Sequence, residues 1–96
     1  MKRFNATQLF LKADQLAVAY NEVFGYFREV QFMAQFLQEI VDSGNADLHV
    51  NNQYANALVE LSKFEGALQR IDSKRKLFLN IAFQKAQDNY NRSLAV

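Results

Sequence analysis

Ten apolar residues, spaced alternately four and three apart, cross the first half of the chain without a fault. They are Leu9, Ala13, Leu16, Tyr20, Val23, Phe27, Val30, Ala34, Leu37 and Val41. On an α-helix this spacing keeps one side chain per turn on a single stripe, the seam along which helices pack on helices. Few other folds fit such a row. The chain has no proline and only three glycines, so nothing forbids very long helices. The class that follows is all-α.

Local signals place the ends. Asn5-Ala6-Thr7-Gln8 reads as a capping box, and Asp42-Ser43-Gly44-Asn45 reads as a stop, with Gly44 suited to the left-handed closing position. A first helix from about 5 to 42 follows, on the order of 55 Å long at the usual rise. Gly25 lies inside it without a change of phase. The turn is placed at about 43–50, and Asp47, Asn51 and Asn52 are equal candidates to cap what comes next.

The second helix, about 51–92, follows Tyr54, Ala57 or Leu58, Leu61, Phe64, Leu68, Ile71, Phe78 and Ala82. Arg75 interrupts that stripe. A break at Asp72-Ser73 is disfavoured, because Lys74, Arg75 and Lys76 would then place cations in a first turn, against the helix dipole. Asp72 pairs more naturally with Lys76 one turn on, and Asp88 with Arg92. The expected architecture is one helical domain over 1–96, an antiparallel hairpin of two long helices.

That hairpin has too much apolar surface for itself. With Leu9 at heptad position d, position e receives Phe10, Ala17 and Phe24, and g receives Ala19, Tyr26, Met33 and Ile40. A two-helix seam uses only a and d, so the wider face implies a second neighbour. The hairpin is therefore expected to pair with another copy into a four-helix bundle. The alternative is a compact monomeric three- or four-helix bundle whose helices fold back at Gly25 and Gly66. Neither glycine has the polar surroundings of a loop.

Composition excludes several kinds of function. There is no cysteine, so disulfides, thiolate catalysis and cysteine zinc sites are out. His49 is alone, with no carboxylate at ligand spacing, and no metal or other cofactor is expected. Glu22, Glu29 and Glu39 read as a solvated helix face rather than a general acid/base pair, the serines have no base beside them, and no glycine-rich phosphate loop is present. No catalytic residue is assigned, and the chain reads as a non-enzyme.

Lys12 and Asp14 interrupt any apolar leader, and no charge-free stretch approaches the roughly 20 residues that span a bilayer. The expectation is a soluble cytoplasmic protein, with export without a cleaved signal left open. The chain shares its size and central glycine with exported helical hairpins built on a Trp-x-Gly turn. It has no tryptophan, and no acidic residue lies four after Tyr90, so it is not assigned to them.

Two surface features remain. Phe32 and Phe36 are four apart on the side away from the seam, and Leu11 and Val18 also fall outside the apolar face. Exposed aromatics of this kind anchor protein partners, whereas the other aromatics of the first helix read as core. The expected role is a protein–protein interaction module, such as an accessory, chaperone-like or inhibitor subunit, with itself and another protein as partners. The second feature is the basic set Lys63, Arg70, Lys74, Arg75 and Lys76. It supports the alternative, a small helical nucleic-acid binder following a phosphate backbone. The net charge of +1 gives that alternative little help. Its distribution is uneven: residues 1–48 carry four basic and six acidic groups, and residues 49–96 carry seven and four.

Overall fold

The computed structural model describes residues 4–95, and Lys2 and Arg3 of the charge count lie outside them. Two helices, α1 (Ala6–Asp42) and α2 (Leu48–Leu94), form a helical hairpin. Both run unbroken, through Gly25 in α1 and through Gly66 and Asp72-Ser73 in α2. The folded-back three- or four-helix alternative is therefore not the architecture.

Each end is set by the residues around it. The Asn5 amide donates to Gln8 Oε1 at 3.0 Å and the Gln8 amide returns the bond to Asn5 Oδ1 at 2.8 Å, a complete capping box. At the far end Gly44 takes φ +78°, and its N–H reaches the Val41 carbonyl at 3.1 Å. The Ser43 amide bonds the Glu39 carbonyl at 3.1 Å, and the Ser43 hydroxyl bonds the Ile40 carbonyl at 2.7 Å. These contacts satisfy carbonyls that the last turn would leave open.

Asp47 is the cap of α2. Its Oδ1 accepts from the Val50 amide at 2.9 Å, so α2 starts at Leu48, earlier than the expected 51, and the turn shrinks to 43–47. Helix α2 also runs past 92, to Leu94, where the Ala95 amide is shared between the Asn91 and Arg92 carbonyls at 3.2 Å each. Within α2, Lys76 Nζ lies 2.9 Å from Asp72 Oδ2, an exposed pair of small energetic weight. Among the described residues no ion pair joins α1 to α2, so the opposite charges of the two halves do not tie the hairpin.

All ten residues of the α1 stripe are buried or half-buried. On α2 the shielded row is Val50, Tyr54, Ala57, Leu61, Phe64, Leu68, Ile71, Arg75, Phe78, Ala82 and Lys85. The choice between Ala57 and Leu58 falls to Ala57. Arg75 does not interrupt the row but sits in phase with it, half-buried, as a long stem with a charged tip can. Replacing Arg75 with leucine should therefore stabilise the fold by about 1 kcal/mol. In a thermal melt that is a rise of about 4–8 °C; a lower midpoint would show that the guanidinium contributes more than its stem.

The chain divides into two compact units. In the turn unit, Asn21–Gln69, Ala34, Leu37 and Ala57 form a buried cluster, with Val30, Val50, Tyr54 and Leu61 packed against it. In the end unit, Met1–Tyr20 with Arg70–Val96, the buried residues are Leu9, Ala13 and Ala82, and Phe10 meets Phe83 edge-on at 5.2 Å. Among the described residues the buried set is alanine and leucine alone, and no large side chain is fully covered. The seam is narrow. It covers positions a and d and leaves Phe24, Tyr26 and Met33 exposed on the flanks, so one hairpin does not cover the whole apolar face of α1.

Candidate protein-interaction surface

The turn unit carries two exposed aromatic rings close together in sequence. Phe32 is 70% exposed and Phe36 63%, one helical turn apart on α1. Hydration of two such rings is unfavourable, and lone monomers rarely leave contiguous apolar patches of this kind uncovered. Leu11 and Val18, each 58% exposed, are also on α1 but belong to the end unit. The four assigned residues are thus all in water, and they are not one site within either unit.

A groove of about 460 Å³ adjoins Phe36 in the turn unit. Its floor is Leu37 and Ala57, both buried; Met33 and Phe36 line it from α1, and Gln53, Asn56 and Glu60 line it from α2. One wall is thus apolar and the other offers amide donors and acceptors and a carboxylate. Sequence reasoning did not assign this groove. Met33 stands at heptad position g on the wide apolar face, but nothing in the spacing of α2 singles out Gln53 or Asn56. Stacking of Phe24 on Phe27 at 6.1 Å, with the Arg28 guanidinium 6.0 Å from the Phe24 ring, orders another part of α1.

The basic set is divided between the two units. Lys63 belongs to the turn unit and Arg70, Lys74, Arg75 and Lys76 to the end unit. Arg75 lies in the half-buried row and Lys76 is held by Asp72. Lys74 instead lines a small cleft with Lys12, Gln15, Leu16 and Phe78, and the Lys12 ammonium sits 4.7 Å from the centre of the Phe4 ring. His49 is exposed in the first turn of α2. Among the described residues no group of three or more His, Cys, Asp or Glu is placed to hold a metal, and no helix is long and apolar enough to cross a membrane.

No protein-family model matches this chain, and neither does any curated protein or solved structure.

Proposed function

We propose that this chain is a non-enzymatic protein–protein interaction module. It self-associates and presents the Phe32/Phe36 face of α1 to another protein, as an accessory, chaperone-like or inhibitor subunit does. The observation that supports this reading is a division among the aromatics. Tyr20, Phe27, Tyr54, Phe64 and Phe78 are half-buried along the two helix rows, but Phe32 and Phe36 are not. The buried set is alanine and leucine, while Phe32 and Phe36 stand in water. Aromatic side chains that fold stability does not use are the usual anchors of a protein interface.

The nucleic-acid alternative has less behind it, because Arg75 is half-buried in the seam row and the net charge is only +1. Affinity capture from the native source tests both readings. Changing Phe32 and Phe36 to serine should reduce capture of the protein partner at least tenfold while circular dichroism stays unchanged. Raising salt should leave capture of the partner by the unaltered chain nearly constant, whereas phosphate-driven binding would fall by orders of magnitude. Loss of helicity in the double variant would instead make both rings part of the core and remove the reading's support.

A further inference from the structure

We propose that the groove of the turn unit is the self-association site, and that its occupant is the α1 helix of a second copy, laid antiparallel about a two-fold axis at Met33. This inference rests on the self-association half of the reading above and names its surface.

Tyr26, Met33 and Ile40 recur every seven residues along one flank of α1. The seam does not cover this flank: Tyr26 and Met33 are each 60% exposed, and Ile40 is half-buried. Seven residues are two turns, or about 10.5 Å. Rotation by a half-turn about Met33 superposes the row on itself in reverse. Met33 then meets its own equivalent, and Tyr26 meets Ile40 of the second copy, a large ring against a smaller branched chain. A patch that complements itself this way is what a two-fold interface requires. No charged residue of α1 falls opposite one of like sign in that alignment.

Area points the same way. Tyr26, Met33 and Phe36 leave on the order of 400 Å² of side chain in water. With the exposed polar wall of Gln53, Asn56 and Glu60 the patch supplies more than half of the roughly 800 Å² per partner of a standard interface. It also has the layout of one, an apolar centre with a polar rim. Met33, at the axis, is an unbranched thioether that adapts to whatever shape faces it.

The chain has no cysteine, which makes the geometry directly readable. Met33→Cys should cross-link to a covalent dimer on mild oxidation. Tyr26→Cys and Ile40→Cys should each remain uncross-linked alone and form the mixed dimer when combined. Gln35→Cys, exposed on another side of α1, should not cross-link. In sedimentation equilibrium the unaltered chain should show twice its monomer mass, and Met33→Glu should weaken association at least a hundredfold with helicity retained. Cross-linking at Gln35 in preference to Met33, or a Met33→Glu dimer of undiminished affinity, would overturn this surface while leaving association itself standing. A monomer mass for the unaltered chain at several hundred micromolar would overturn both. Phe36 lines the groove and Phe32 does not, so Phe32→Ser alone reports on the other partner separately.

Discussion

Leu37→Ala should destabilise the protein by about 2–5 kcal/mol in urea unfolding at low micromolar concentration. Domains of this size hold about 5–15 kcal/mol in total, so the loss is a large part of the whole. The magnitude follows from position. Leu37 is buried between Ala34 and Ala57, with Val30, Val50, Tyr54 and Leu61 closing around the cluster. Its buried neighbours are small and cannot replace the lost isopropyl group. Because Leu37 also floors the open groove, the loss falls toward the lower end of that range. Phe32→Ala removes more atoms, yet it should change stability by no more than about 0.5 kcal/mol, because that ring is mostly in water. If the two variants unfold at the same urea concentration, the assignment of seam and surface on α1 is wrong.

Two glycines should respond with opposite signs. Gly44 holds φ +78°, where a β-branched side chain collides with its own backbone. A Cβ there meets nothing within 4 Å, so the penalty is purely conformational. Gly44→Val should cost about 1–3 kcal/mol, and Gly44→Asn noticeably less, since asparagine tolerates the left-handed region. Gly25 is an exposed residue in the middle of α1, with an ordinary negative φ and open space around an added methyl. Gly25→Ala should stabilise by up to about 1 kcal/mol. Thermal melts of the three variants check this, and a destabilised Gly25→Ala would mean that something approaches that backbone closely.

Most of the fold was legible in sequence because heptad spacing is a local property. Each α1 stripe residue can be assigned from its neighbours one turn away, and the Asn5/Gln8 box is visible in four letters. The failures arose where the answer depends on the facing helix. Ala57 and Leu58 both continue the step from Tyr54 to Leu61, and only packing against Ala34 and Leu37 separates them. Arg75 looks like an interruption because a charge is assumed to leave the seam, whereas its stem can occupy it. Asp47 was one of three equal caps, and its hydrogen bond to the Val50 amide is a geometric fact that composition does not carry. For the surface, Phe32 and Phe36 follow from the helical wheel of α1 alone. The groove beside them does not, because half its lining comes from α2.

The alanines of the turn unit's cluster also limit how α2 can align with α1. A helix pair that meets at methyl groups brings its backbones close, and the space between them then admits nothing larger. Sliding α2 by one heptad would put Phe64 or Val50 where Ala57 now faces Ala34 and Leu37. Forcing such bulk into a filled site costs about 1–3 kcal/mol. Small side chains within this cluster thus work as a vernier, rejecting offset alignments that the apolar pattern by itself would tolerate.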